Sequence, residues 1–297
     1  MIIDLRYHVA SLIAVFLALG MGILIGGALL GNATLQKELN QIEQSLARMR
    51  EDQHALEAEI VERDGQIRVY QQFSQSVLPV LIRERLAGKR VALVRTNPHT
   101  DQRLAKDLAR LLALAGAKAV TTTTIVRNPA DLTPDRLAVI GGKLGLAAGD
   151  HQSLARGILA ILTDRIINGP DPSSPILQQA LSVLAGARLI ETAGDYGEMV
   201  DILILCGGSL DPAFDSSQQV DRALIETAVD NKGLVVAAVE PGNAARSYLA
   251  EYLQHPIIAI DNVETTPGKA ALILALAQGK KAHYGFKGTR QLLPSGI

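Results

Sequence analysis

The sequence predicts an α/β protein: an N-terminal transmembrane helix, a long coiled-coil helix, then a doubly wound, mostly parallel, Rossmann-like sheet domain. Three observations predict it. Residues 9–30 carry no charge over a length that fits a bilayer. Apolar residues then recur at alternating spacings of four and three. From Gly88 onward, short unbroken apolar runs alternate with helical patterns. The divisions fall at a flank 1–8, a span 9–31, a coiled coil 34–77, a linker 78–87 and a domain 88–297.

The span contains Leu12, Ile13, Val15, Phe16, Leu17, Leu19, Ile23, Leu24 and Ile25. At about 1.5 Å per residue it covers roughly 33 Å, against a hydrocarbon core of roughly 30 Å. That exceeds the apolar stretch of a cleaved signal, so an uncleaved anchor is expected. Arg6, His8 and the terminal amine precede it against Asp4, while Lys37 is followed by Glu38 and Glu43. The positive-inside bias therefore places the N-terminus in the cytoplasm and the rest of the chain outside it. Gly22 and Gly26 extend a small-residue spacing from Ala18, which lets two membrane helices approach.

Beyond Asn32 and Thr34, which are able to cap a fresh helix, the seam reads Leu35, Leu39, Ile42, Leu46, Met49, Gln53, Leu56, Ile60, Arg63 and Ile67. Gln53 and Arg63 are polar residues at core positions, which fix register at a cost in stability. The other faces are dense in charge, and a homodimer is the expected form. The repeat fades near Ser74, and Pro79 is expected to end the helix.

Strands are expected at Val91–Val94, Val120–Val126, Arg188–Ile190, Asp201–Leu205, Leu234–Val239 and Ile257–Ile260. Helices are expected at Gln102–Leu114, Leu154–Ile167, Ile176–Ala185, Gln218–Asn231, Ala244–Leu253 and Lys269–Ala277. Such sheets bind ligands beyond the carboxyl ends of their strands. The loop Arg95–Asp101 lacks the glycine fingerprint of a dinucleotide site. Gly207, Gly208, Ser209 and Asp211 after one strand, and Glu240, Gly242 and Asn243 after the next, form the candidate ligand loops, although turning alone also calls for such residues. Gly141-Gly142-Lys143 fails the spacing of a phosphate loop.

The formal charge is -1, from 29 Lys and Arg against 30 Asp and Glu, so no basic surplus invites nucleic acid. Catalytic motifs are missing: there is no Gly-x-Ser-x-Gly, His-Glu-x-x-His or paired-Cys pattern, and His99, His151, His255 and His283 are scattered. No catalytic residue, cofactor or metal ligand is assigned, and the chain is read as non-enzymatic. The lone cysteine, Cys206, lies in an apolar strand, where burial raises a thiol's pKa.

The opening Met1-Ile2-Ile3-Asp4-Leu5-Arg6-Tyr7-His8-Val9-Ala10-Ser11-Leu12-Ile13, and the tail with His283-Tyr284-Gly285 and Leu292-Leu293-Pro294, resemble the MctB family of copper transporters, also known as SteB. The resemblance implies a plasma-membrane protein of a Gram-positive or actinobacterial envelope, its soluble part extracytoplasmic. It also implies two functions. One is copper transport or homeostasis. The other is a complex with a SteA-like membrane protein that acts through the coiled coil on a peptidoglycan hydrolase. Copper wants clustered soft donors, whereas this chain has one Cys and four scattered Met, so the scaffold is the expected reading, with copper handling as one alternative. The other alternative is a small-ligand receptor using the candidate loops.

Overall fold

The structure, a computed structural model, describes residues 5–289 and 291–295, exclusive of the side chains of 5 and 28–35. Asp4 of the flank and the side chain of the seam residue Leu35 lie outside what is described. The chain divides into two units, Met1–Tyr70 and Gln71–Ile297.

Helix α1 (Leu5–Ile82) supplies the described residues of the first unit and runs on into the second, and no new helix starts at Asn32 or Thr34. The stretch Arg6–Gly27 is long and apolar enough to cross a membrane. Correcting the sequence reading, α1 also passes through Pro79. Proline removes one intrahelical donor, but the Pro79 carbonyl still accepts from the Arg83 amide at 3.2 Å. Leu78 and Leu81 pack on the sheet core and Ile82 is fully buried, so tertiary packing holds the turn that proline alone disfavours.

The second unit is a seven-stranded sheet covered on both faces. Its strands are β1 (Arg90–Arg95), β2 (Ala119–Ile125), β3 (Ile190–Ala193), β4 (Ile202–Cys206), β5 (Val235–Val239), β6 (Ile258–Ile260) and β7 (His283–Tyr284). They lie in the order β3-β2-β1-β4-β5-β6-β7. All pairs are parallel except β2 with β3. Inner strands are apolar on both faces because alternate residues feed separate cores. Ala92 and Val94, Leu203 and Leu205, and Val236 and Ala238 enter one core. Val91 and Leu93, Ile202 and Ile204, and Ala237 and Val239 enter the other.

The covering helices are α2 (Gln102–Leu114), α3 (Pro134–Lys143), α4 (His151–Asn168), α5 (Pro175–Gly186), α6 (Arg222–Val229), α7 (Leu249–Tyr252) and α8 (Thr266–Gln278). Asp101 caps α2 through the Arg103 amide at 2.8 Å, and Asp150 caps α4 through the Ser153 amide at 3.0 Å. α2 matches its predicted bounds, most of the other predicted elements lie within three residues of theirs, and three differences have a structural cause. The expected strand at Arg188–Ile190 begins at Ile190, since Arg188 is left-handed (φ 59°) in the turn after α5. The expected helix Ala244–Leu253 shrinks to α7. Ser209 and Arg246 exchange backbone hydrogen bonds at 2.9 and 3.0 Å, which holds 246 extended. The segment 218–231 opens with one π-helical turn, Ser217–Asp221, ahead of α6. Gly141-Gly142-Lys143 closes α3, a helix not predicted, and therefore forms no loop at all.

Candidate functional site

Two features merit attention: the seam of α1, and the crest where β1, β4, β5 and β6 end.

Within the first unit Leu39, Ile42, Leu46, Met49, Leu56, Ile60 and Ile67 are all 48–67% exposed. They follow one stripe at heptad spacing, leaving a row of aliphatic side chains in water. The two polar core positions have partners on their own helix. Gln53 Nε2 donates to Glu57 Oε1 at 3.1 Å, and the Arg63 guanidinium meets Glu59 Oε1 at 2.7 and 2.9 Å. In the anchor a methyl added at Gly22 or Gly26 would meet nothing, so neither glycine is required by packing within the chain.

Strand order reverses between β1 and β4, which makes the crest above them the topological switch point, the usual ligand position in open sheets. The structure does bring the two candidate loops together there. The Gly207 amide donates to the Val239 carbonyl at 3.0 Å, and a methyl at Gly208 would touch Ala244 and Glu240. Yet the chain fills this crest with its own groups. The Gly208 carbonyl accepts from Asn97 Nδ2 at 3.2 Å and Thr100 Oγ1 at 2.9 Å. A methyl at Gly207 would overlap the Tyr252 hydroxyl. The Ser209 hydroxyl donates to the Asp211 carbonyl and accepts its amide at 2.9 and 3.0 Å. The Gly242 amide, an obvious anion donor, is held by both Glu264 oxygens at 3.1 and 3.0 Å. Asn243 is exposed on the turn.

Three buried carboxylates organise the crest: Glu240, already a candidate from its loop, and Asp261 and Asp221, which carry no signal in the sequence, the first just after a strand and the second in the turn ahead of α6. Glu240 is fully buried and accepts from Ser247 Oγ at 2.7 and 2.9 Å, the Tyr248 amide at 2.8 Å and Lys287 Nζ at 3.0 Å. Asp261 is equally buried. Burial alone would raise its pKa, but bonds from the Phe286 amide, Asn262, the Lys287 amide and His283 outweigh it and hold the carboxyl below its ordinary value. The tail 283–287 is thus clamped across the ends of β5 and β6. Asp221 is pushed up to about 7 by burial, against which the Tyr252 hydroxyl donates at 2.6 Å. Its second oxygen has no partner. Cys206 is fully buried and pushed up to about 12 by desolvation, which disfavours its thiolate.

Two clefts flank the crest. One of about 520 Å³ is lined by Asn128, His151, Arg156, Gln218, Gln219 and Arg222 among others. Its polar groups are largely engaged: His151 bonds to the Ala130 carbonyl at 2.8 Å and Arg222 is bidentate to Glu251 at 2.7 and 2.8 Å. The other, about 510 Å³, is wide open above His99–Arg103, Leu210 and Asp211. Among the described residues, no three His, Cys, Asp or Glu side chains converge to hold a metal ion.

A family model described as "Copper transport outer membrane protein, MctB" matches residues 2–294. The chain belongs to the MctB family. Relatives in that family include the copper transporter MctB of Mycobacterium bovis and of Mycobacterium tuberculosis strains CDC 1551 and H37Rv. Each is 25% identical to this chain over 312 aligned positions, covering 95% of this chain and 96% of the relative. The alignment therefore spans nearly the whole of each chain.

Proposed function

We propose that this chain is a non-enzymatic, single-span scaffold of the plasma membrane. Its rod docks a helix of another protein, and any part it takes in copper handling, the activity in its relatives' names, comes through such a complex. The observation that carries this reading is the heptad stripe from Leu39 to Ile67, exposed along its length on a charged helix. A single apolar helix is the spanning form of a plasma membrane, whereas outer-membrane spans are closed barrels. The N-terminal flank, with Arg6 and His8, favours a cytoplasmic N-terminus and an extracytoplasmic rod and domain. A SteA-like membrane protein and a peptidoglycan hydrolase are the partners that the family resemblance suggests.

Copper transport by the chain itself is the second reading, and family membership supports it. One helix encloses no path, so conduction requires several copies around a common axis, and residues 9–30 offer no charged side chain to line it. The receptor reading loses ground, because the candidate loops spend their donors on internal partners.

Purification of the full-length protein in mild detergent, with bound proteins and copper assayed on one sample, tests the choice. The scaffold reading expects a stoichiometric protein partner and copper well below one ion per chain. Stoichiometric copper with no partner would replace it by transport.

A further inference from the structure

The seam has flanks, and their charge says which helix it accepts. With Leu39, Leu46, Gln53 and Ile60 at one core position and Ile42, Met49, Leu56 and Arg63 at the other, Glu38, Ser45, Asp52 and Glu59 fall at the flank preceding each heptad. Glu43, Arg50, Glu57 and Asp64 fall at the flank following.

Two copies anchored in one membrane by the same segment are constrained to run parallel and close to in register. In that arrangement each preceding flank faces the following flank of the other helix. The facing pairs become Glu38 with Glu43, Ser45 with Arg50, Asp52 with Glu57, and Glu59 with Asp64. Three of the four are acid against acid, and twofold symmetry repeats each of them. The core adds to the mismatch, because Arg63 of one copy meets Arg63 of the other. That guanidinium is already paired with Glu59 of its own helix at 2.7 and 2.9 Å. Lys37, Arg48 and Arg68, which would offset the acids, lie on the outer positions of the repeat.

We infer that the seam between Glu38 and Asp64 is built for a helix of a different protein, one with aliphatic residues at its core positions and Lys or Arg at its flanks. This rests on the scaffold reading and names the chemistry of its partner. It also replaces the homodimer expected from the apolar stripe alone. The like-charge rows act against self-pairing while the same six carboxylates attract a basic-flanked helix, so one set of residues excludes the wrong partner and selects the right one.

The test uses the full-length protein in detergent with Leu46→Cys as an oxidative cross-linking site, Cys206 being buried and silent. The background is compared with one that also carries Glu38→Lys, Asp52→Lys and Glu59→Lys, which turns all three acidic pairs into opposite-charge pairs. The probe partner is a synthetic heptad helix with Leu cores, Lys flanks and one cysteine. The inference expects little cross-linked dimer in the Leu46→Cys protein, at least a fivefold increase in the triple-Lys background, and capture of the Lys-flanked helix by the former only. Equal dimer in both backgrounds would overturn it and leave a scaffold built on self-pairing. Capture of neither itself nor the Lys-flanked helix by the Leu46→Cys protein would overturn it together with the scaffold reading.

Discussion

At the scale of single residues the crest of the sheet is organised by carboxylates that the chain satisfies for itself. Asp221 is the exception, with one oxygen unpartnered inside the protein. Burial pushes its carboxyl up to about 7 from an ordinary value of 3.8, against which the Tyr252 hydroxyl partly compensates. A folded pKa raised above the unfolded one means that the folded state binds the proton more tightly. The associated stability is therefore complete below about pH 4 and is lost as pH rises through about 7. Thermal unfolding of Asp221→Asn beside the unaltered protein checks this. The variant should gain on it by roughly 5 °C or more between pH 4 and pH 8, and a difference that stays flat across that range would contradict the assignment. Little of this was legible beforehand. Nothing in the sequence marks Asp221 or Asp261 as buried, because burial of a lone acid depends on which loops the topology stacks above it. The burial of Cys206 was legible, since its four preceding residues are all aliphatic.

At the scale of elements the sequence pattern placed α2 at its observed bounds and located β1, β4, β5 and β6 to within a residue or two at each end, because apolar runs and capping residues are local signals. The misplacements share a cause in tertiary contact. The strand-like pairing of Ser209 with Arg246 consumes the start of the helix expected from 244, and the polar edge strand β3 has no apolar run to announce it. Pro79 is the instructive case. Proline was expected to end the rod, yet Leu78, Leu81 and Ile82 are packed against the sheet and carry α1 onward. Pro79→Ala should thus leave the unfolding temperature unchanged or raise it, by up to about 3 kcal/mol of recovered helix stability. A lower unfolding temperature would show that the proline marks a needed turn.

At the scale of the whole molecule the proposed orientation leaves the anchor in the membrane and puts the rod and the α/β domain on the extracytoplasmic side. Orientation has a direct readout. Because Cys206 is buried, a cysteine at Glu57 supplies the one accessible thiol. Intact cells expressing Glu57→Cys should label fully with a membrane-impermeant maleimide, whereas labelling that requires lysis would place the rod in the cytoplasm. The anchor, the seam and the fold class were all legible because each is a periodic pattern over many residues. What would occupy the seam was only half legible: the aliphatic stripe led to the homodimer expected from the sequence, and the acids beside it carry the proposal of a different, basic-flanked helix.

On the proposed scaffold reading the stripe on α1 is where this chain does its work, and recovery of bound protein from cells is the measurement to make first. Full-length protein and its Leu46→Asp/Ile60→Asp and Cys206→Ala variants are purified in parallel in mild detergent and the co-purifying proteins quantified. A stoichiometric partner is expected on the unaltered chain and on Cys206→Ala, with its loss by at least tenfold from Leu46→Asp/Ile60→Asp, whose α/β domain stays folded. Undiminished recovery on the seam variant would mean that the stripe does not hold the partner.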